Sequence, residues 1–396
     1  MRYFLILIMS AFLLPAVGVA QQGNVLDSAD QLVRQKQYES AFKLLKEADP
    51  QNNDEDILVK KTKIAINYFV TSIEHVMFAF KDLSADEHIM DYRGKGGSYS
   101  MHIFDVDSLS RRLLDVKGPS AALYQNLTTY WFDVYLRYGN QQSPLDSVRK
   151  YAKKSIAYGG HDADTYYKLG YSYLLDDRIG KSIEYFNKSI QRNDSFPTSH
   201  YNLAYAYLMA GEPSNSLVHA NRALALYEDS IQKGDAALMA AVALIDLNRP
   251  QKALDFLDQS DHLSPGNINA LQTRLQAYFM LDKKEEADRL AKNIVAKDPG
   301  NPGMIQNISE LYVEAGAEDR FVLLINQLLP DYAGKNEILG NLYFAIARVT
   351  MQDDPETAEQ SLLKAEENFS KSYPEQHSIF NVIQQALQYV REQKGE

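Results

Sequence analysis

A short aromatic ladder occurs twice in this chain, at an interval of 34 residues. Residues 166–174 are YYKLGYSYL and residues 200–208 are HYNLAYAYL. The two stretches share a Tyr or a Leu at five corresponding places: Tyr167/Tyr201, Leu169/Leu203, Tyr171/Tyr205, Tyr173/Tyr207 and Leu174/Leu208. Self-similarity at a fixed period of about 20–50 residues is typical of repeat architectures. The interval therefore predicts an array of repeated units over this part of the chain.

Small residues and prolines recur at the same period. Gly170 corresponds to Ala204, Ala253 corresponds to Ala287, and the turn SPGN at 264–267 corresponds to DPGN at 298–301. A small residue lets two helices approach closely, and a proline ends a helix because it cannot donate the next backbone hydrogen bond. These motifs resemble the tetratricopeptide repeat family, whose unit is a pair of antiparallel helices. The resemblance implies an all-α fold, an α-solenoid of stacked helix hairpins, with the firmest motifs over 163–301.

Weaker matches extend the array in both directions. We predict five regions: a signal peptide at 1–20, a degenerate helical repeat region at 21–83, a non-helical insertion at 84–119, a tetratricopeptide repeat array at 120–335, and a C-terminal repeat with a capping helix at 336–396. Within the second region the apolar pattern predicts a long helix over Asp56–Leu83. The capping helix is predicted over Glu375–Gln393, where it would cover the apolar face of the last repeat.

The insertion at 84–119 interrupts the helical pattern. Alternation in His88–Tyr92 and in Ser98–Phe104, on either side of Gly94–Gly97, predicts two short strands that form a β-hairpin. Insertions in repeat arrays often carry function, but a purely structural role is the interpretation we favour. A metal site would need His and Asp side chains to gather there; the candidates are His88, His102, Asp105 and Asp107. With eight His in the chain, such a cluster arises easily by chance, so we predict no metal.

The first twenty residues have the pattern of a secretory signal. Arg2 precedes an apolar run over Tyr3–Leu14, and small residues lead up to Ala20. We predict cleavage after Ala20, and no later segment is apolar enough to span a membrane. The chain has no Cys, whereas secreted eukaryotic proteins usually contain disulfides. Together these features predict export to the periplasm of a Gram-negative bacterium.

Charge and motifs argue against nucleic-acid binding and catalysis. The net charge is −11, and a phosphate backbone needs clustered Lys and Arg. The chain has no His-Glu-x-x-His and no Gly-x-Ser-x-Gly motif. Arg93–Ser98 (RGKGGS) lacks the spacing of a phosphate-binding loop. We therefore predict no nucleic-acid partner, no catalytic residues and no cofactor.

The resemblance also implies where a partner would bind. In the family, positions 2, 5, 9, 12 and 13 of the first helix of each hairpin line a concave groove. Carried over to positions 5, 6 and 9, this gives the predicted groove residues Tyr167, Lys168, Tyr171, Tyr201, Asn202, Tyr205, Gln272, Gln276 and Asn307. Tyr offers a large contact area with one polar tip. The alternative is that these rings pack between neighbouring first helices, since aromatic stripes at helical spacing usually form core.

Three functions remain open at this point. The first is a non-catalytic periplasmic scaffold that binds a protein or an extended peptide in its groove, with a role in envelope assembly, secretion or virulence. The second is a glycan- or peptidoglycan-binding module in which the same tyrosines stack on sugar rings. The third is an enzyme with its site in the 84–119 insertion. The repeat fold alone does not choose among them.

Overall fold

The computed structural model describes residues 14–139 and 142–395, with side-chain surroundings given from residue 24 onward apart from 140–143. Residues 1–13 lie outside the described part. Residues 14–20 are described only by their backbone. The predicted signal peptide at 1–20, with its cleavage after Ala20, thus has no side chain among those that the structure describes. The chain divides into two compact units, of which the first ends at Asn202 and the second begins at Leu203. Each unit is described by itself below.

The N-terminal unit contains helices and a small sheet. Its elements are α1 (Leu14–Arg34), α2 (Tyr38–Ala48), α3 (Glu55–Tyr68), β1 (Thr71–Ile73), β2 (Met77–Ala79), β3 (Met101–Ile103), α4 (Val106–Lys117), α5 (Ala121–Tyr138), α6 (Gln142–Ala157), α7 (Ala163–Leu174) and α8 (Ile179–Arg192). Helix α9 (Pro197–Met209) contains the division between the units.

The described part of the C-terminal unit is helical. Its elements are α10 (Pro213–Leu226), α11 (Ser230–Asp246), α12 (Pro250–Leu263), α13 (Ile268–Met280), α14 (Lys284–Lys297), α15 (Pro302–Glu314), α16 (Glu318–Leu328), α17 (Asn336–Thr350), α18 (Pro355–Ser370) and α19 (Ser378–Lys394). A 3-10 turn at Leu329–Tyr332 follows α16.

The helices pack as successive hairpins within each unit. In the N-terminal unit α5 packs on α6 and α7 packs on α8, and in the C-terminal unit the pairs are α11–α12, α13–α14, α15–α16 and α17–α18. The first helices also stack on one another, α5 on α7 and α11 on α13, followed by α15 and α17. The prediction of an α-solenoid of tetratricopeptide-type hairpins is confirmed.

The small residues of the repeat motif lie where two helices cross closely. A Cβ atom added at Gly170 of α7 would lie 2.9 Å from the ring of Phe186 in α8. The same relation holds in the last hairpin, where a Cβ at Gly340 would lie 2.6 Å from the ring of Phe369. Distances this short are excluded by van der Waals contact, so glycine sets the spacing of both hairpins.

The non-helical insertion begins earlier than the sequence indicated. Helix α3 ends at Tyr68, so the predicted long helix over Asp56–Leu83 is wrong in its second half. Residues 69–80 (FVTSIEHVMFAF) are rich in β-branched and aromatic side chains, and these form β1 and β2. The insertion also ends earlier, because Asp105 caps α4 by accepting a hydrogen bond from the Ser108 backbone N–H.

The predicted hairpin between His88–Tyr92 and Ser98–Phe104 is likewise corrected. Residues 89–91 form a 3-10 turn, and β3 pairs with β2 in an antiparallel sheet of order β1-β2-β3. In this register Phe78 lies opposite His102, and both side chains are buried on the inner face. A shift of β3 by one residue would move His102 to the opposite face of the sheet, so burial of the inner face sets the register. The same face is covered by α2, where the ring of Phe42 stacks on that of Phe80.

The sheet is tied to the surrounding helices by polar groups as well. The Nε2 atom of His75, in the turn between β1 and β2, lies 2.8 Å from a carboxylate oxygen of Asp133 in α5. After the sheet, the Asp82 carboxylate accepts hydrogen bonds from the backbone N–H groups of Glu39 and Ser40 at the start of α2. Asp82 thus caps a helix more than forty residues away in sequence.

The C-terminal helix covers the last hairpin. Helix α19 begins at Ser378 and packs on α18 through Ile383, Leu387 and Val390, which are buried. A terminal helix of this kind removes the apolar face of the final repeat from water. Among the described residues no helix combines the length and the apolar character needed to cross a bilayer.

Candidate functional site

The predicted aromatic groove of the N-terminal unit is largely filled by its own rings. Tyr167 is buried, and its ring lies within 6.0 Å, centroid to centroid, of the rings of Phe132, Phe186 and Phe196. Tyr171 is half-buried, 5.4 Å from the ring of Phe132. Phe132 belongs to α5, so these contacts join the first helices of consecutive hairpins. Tyr167 is therefore core, and its prediction as an open binding residue is wrong.

Burial also changes the chemistry of Tyr171. Removal from water, with a smaller contribution from nearby Tyr135, raises the pKa of its hydroxyl. The group stays neutral at physiological pH. The side chain as a whole is half-buried.

The polar members of the same predicted set are already satisfied locally. Lys168 is buried, forms an ion pair with Asp164 one turn earlier, and lies 5.8 Å above the ring of Phe132. The Asn202 amide donates to the carbonyl oxygen of Thr198 at 2.9 Å and is nearly buried. Neither side chain is presented as an open binding group, so these two predictions are corrected as well.

The two remaining tyrosines are more accessible. Tyr201 is half-buried, and Tyr205 is 44% exposed. They lie on either side of the division between the units, and we assign them no shared site.

The other three predicted residues come together in the C-terminal unit. Gln272 and Gln276 of α13 and Asn307 of α15 line one cleft of about 350 Å³ between these two first helices. We call it the α13–α15 cleft. The other residues that line it are Asn269, Thr273, Glu310, Leu311 and Glu314. Within the described part of the chain, the amide groups of Gln272, Gln276 and Asn307 have no hydrogen-bond partner from the protein.

An apolar part continues the α13–α15 cleft toward the C-terminal ends of the two helices. It has a volume of about 310 Å³ and shares Gln276, Leu311 and Glu314 with the polar part. Its further lining is Phe279, Met280, Asp282, Lys284 and Ala315. The cleft therefore joins a row of amides to a part that contains Phe279, Met280 and Leu311. Ligand sites commonly combine apolar side chains with a few polar groups that fix the orientation of the ligand.

The walls of the cleft are held firmly. Asn267 caps α13 and Asn301 caps α15, each through its side-chain oxygen. Below the cleft, Tyr312 is fully buried and donates a hydrogen bond of 2.8 Å to Asp288 of α14. The other Asp288 oxygen accepts from Arg320 of α16 at 2.6 Å. One carboxylate thus ties three consecutive helices together, and a preformed cleft loses little entropy on binding.

Several cleft residues were not among the predicted ones, although the sequence carried a signal for them. Asn269, Phe279 and Met280 occupy positions 2, 12 and 13 of α13, which the family resemblance also assigns to the groove. Glu314 follows Met280 by one period of 34 residues. Carrying over all five groove positions, instead of 5, 6 and 9, would have identified them.

The candidate groups of the insertion do not assemble into a site. His88 and Asp105 serve as caps, His102 is buried beside Phe42, and the Asp107 carboxylate accepts a hydrogen bond of 2.9 Å from the Trp131 indole. In residues 14–139 and 142–395, no group of three or more His, Asp or Glu has a geometry suited to a metal ion. The Arg93 guanidinium, in the glycine-rich loop, donates to the backbone carbonyl groups of Asn67 and Phe69.

Solved structures that are similar to this chain include tetratricopeptide repeat proteins. A tetratricopeptide repeat protein from Parabacteroides merdae is 17% identical over 68% of this chain and 98% of its own, with a TM-score of 0.45. The C-terminal part of a TPR repeat-containing protein from Cytophaga hutchinsonii is 11% identical over 66% and 89%, with a TM-score of 0.39. YrrB, described as a TPR protein with an unusual peptide-binding site, is 17% identical over 48% and 95%, with a TM-score of 0.36. No protein-family model and no curated protein matches the sequence.

Proposed function

We propose that this chain, an α-solenoid of tetratricopeptide-type hairpins, is a non-catalytic scaffold that binds an extended segment of a protein partner in the α13–α15 cleft. The observation that supports this most directly is the cleft itself. Three amide side chains without protein partners line it, next to the apolar side chains of Phe279, Met280 and Leu311. The fold hosts many binding roles, so the site and not the fold carries the proposal.

The amides suit a peptide backbone. A side-chain amide has both donors and an acceptor, so Gln272, Gln276 and Asn307 can pair with the N–H and C=O groups of an extended chain. The apolar part next to Gln276 can bury one side chain of the partner against Met280 and Leu311. Backbone pairing would supply register, and the apolar part would supply selectivity for side chains.

The cellular location belongs to the same proposal. The signal-like segment before Ala20 and the absence of Cys support an exported protein in the periplasm of a Gram-negative bacterium. In that compartment the scaffold would serve envelope assembly, secretion or virulence, and its partner would be an exported protein.

The glycan alternative receives less support from the site. Stacking on a sugar ring needs an open aromatic face, and the Tyr167 ring is covered by Phe132, Phe186 and Phe196. The aromatic side chain that lines the α13–α15 cleft is Phe279, and it lies in the apolar part. The cleft is therefore less well suited to a glycan than to a peptide.

Site-specific photo-cross-linking in the native cells tests the proposal. A benzophenone amino acid would replace Gln276 in the cleft or, as the matched control, the exposed Gln251 on α12. We expect a discrete covalent adduct with one protein at position 276 and none at position 251. The additional substitution Gln272→Ala should weaken the adduct because it removes a neighbouring amide.

Two outcomes would contradict the proposal. Adducts of equal yield at positions 276 and 251 would mean that contact with the cleft is nonspecific. An adduct whose yield is unaffected when Met280→Lys blocks the apolar part would mean that the partner does not enter the cleft.

A further inference from the structure

The rim of the α13–α15 cleft carries an excess of negative charge. The carboxylates of Asp282, Glu310 and Glu314 line it, and the ammonium group of Lys284 is the cation that the described lining contains. Lys284 lies 3.3 Å from Asp282, so these two charges largely offset each other.

The two glutamates differ in what they already bind. Glu310 accepts a hydrogen bond of 2.8 Å from Gln306 and lies 3.4 Å from the Arg348 guanidinium. The exposed Glu314 has no hydrogen-bond or ion-pair partner among the described residues. It lies where the polar and apolar parts of the cleft meet. A cationic side chain that enters the cleft would therefore find a carboxylate whose acceptor sites are unoccupied.

Repeat position predicts that two aspartates of the preceding hairpin lie on the same side of the unit as the cleft. By the period of 34 residues, Asp235 of α11 corresponds to Asn269, and Asp246 corresponds to Met280 and then to Glu314. Helix α11 stacks on α13 in the same unit. Partial burial raises the pKa of both aspartates, and Asp229 contributes further at Asp235. A raised pKa means that the charged form of each carboxylate is disfavoured. A nearby cation would favour the charged form again.

We propose that the α13–α15 cleft selects an extended protein segment that carries Lys or Arg. This inference rests on the proposed function and adds the chemistry of the partner. The aliphatic stem of a Lys or Arg side chain would lie on Met280 and Leu311, and its charged end would reach Glu314. An acidic or phosphorylated segment would instead meet the Glu314 carboxylate, which no cation of the described residues offsets, and like charges at close range are destabilising.

Selection from a peptide library tests the inference while the partner is still unidentified. Random twelve-residue peptides displayed on phage would be selected against the intact protein and then sorted by loss of binding to the Gln276→Ala variant. We expect the peptides that depend on Gln276 to be enriched in Lys and Arg over the unselected library. Synthetic versions would be titrated by fluorescence anisotropy.

The charge variants form a matched pair. Glu310→Gln/Glu314→Gln removes two cleft carboxylates, and Asp255→Asn/Glu228→Gln removes two exposed carboxylates of the same unit that lie outside the cleft lining. We expect the first pair to weaken binding of the basic peptides about 3- to 30-fold, the effect of one or two ion pairs at an exposed site. The second pair should change the dissociation constant less than about 2-fold, because screening limits distant charges.

The outcomes separate the two proposals. Peptides that depend on Gln276 but show no enrichment in Lys or Arg would overturn the basic specificity and leave the peptide-binding function intact. Equal effects of the two charge pairs would also overturn the specificity, because only a long-range field would be acting. Failure to recover any peptide that depends on Gln276 would overturn both.

Discussion

Replacing Lys61 with methionine should remove a pH dependence from the stability of the N-terminal unit. Lys61, on α3, is 1% exposed, and its ammonium group donates hydrogen bonds to the Asp49 carbonyl oxygen at 2.9 Å and to the Asn52 side-chain oxygen at 2.6 Å. Burial lowers the pKa of Lys61 to about 8, an effect that Asp49 only partly offsets. The folded protein thus holds this proton less tightly than the unfolded chain does.

The sign and size of the effect follow from linkage. A drop in pKa from 10.5 to about 8 corresponds to about 3 kcal/mol that disfavours the ammonium form in the folded state. Between these two pH values the unfolded chain retains a proton that the folded chain has lost. The free energy of unfolding should therefore rise with pH in this window, by about 2 to 3 kcal/mol, and the contribution of Lys61 should level off as the pH falls below the folded-state pKa of about 8.

The single tryptophan of the chain makes this contribution measurable. Trp131 lies in α5, and its side chain packs against the same hydrophobic core as α3. Urea unfolding followed by its fluorescence, from pH 7 to pH 10.5, would be compared between the wild type and Lys61→Met. Other groups titrate in this range, but they do so in both proteins, so the difference in unfolding free energy isolates Lys61.

The exposed Lys63 on the same helix provides the control. The Lys63→Met protein should keep the rise seen in the wild type. If Lys61→Met shows the same rise as well, the buried ammonium group does not carry the pH dependence, and the argument from its burial fails.

Two further predictions concern the hairpins. Gly170→Ala should lower the free energy of unfolding of the N-terminal unit by about 1 to 3 kcal/mol, because the new methyl group meets Phe186. Trp131 fluorescence in urea would measure it, and Gly180→Ala, where a Cβ meets nothing within 4 Å, should be neutral or stabilising. Tyr312→Phe should destabilise the C-terminal unit by about 1 to 2 kcal/mol, since Asp288 loses a buried donor. Far-UV circular dichroism in urea would measure this change, and an unfolding curve identical to that of the wild type would contradict the role given to the Tyr312 hydroxyl.

The repeat array could be predicted from the sequence because its cause is local and periodic. A hairpin needs a small residue where its helices cross, and Gly170 marks that crossing in the sequence. The C-terminal helix could be predicted for a similar reason, since residues such as Ile383 and Val390 follow a helical stripe. Each of these signals lies within one unit of the array.

The sheet was harder to predict because its pairing is not local. The stretch at 69–80 is apolar enough to continue a helix, and three-residue strands are too short for an alternating pattern to stand out. What decides the structure is burial of Phe78 and Phe80 beneath neighbouring helices, together with the pairing of β2 with β3 more than twenty residues later. Neither the covering helices nor the paired strand β3 can be identified from the sequence of 69–80 alone.

The aromatic ladder shows the same limit at the candidate site. Tyr167 and Gln272 both occupy position 5 of a first helix, yet Tyr167 is core and Gln272 lines an open cleft. The difference comes from the preceding hairpin, which supplies Phe132 against Tyr167. Position within a repeat predicts which face a residue is on, but the neighbouring repeat decides whether that face is open.

The small sheet also limits how this protein can be shortened. His75 in its first turn contacts Asp133, and Asp82, which follows the sheet, caps the start of α2. The ring of Phe69 lies 4.5 and 4.3 Å from the guanidinium groups of Arg93 and Arg137. Joining α3 directly to α4 would therefore strip aromatic side chains from the interior and leave a helix end uncapped. A trimmed protein made for crystallography or for biosensors should keep residues 69–105 intact, and substitutions in this segment should be tolerated least at the buried Phe78, Phe80 and Phe104.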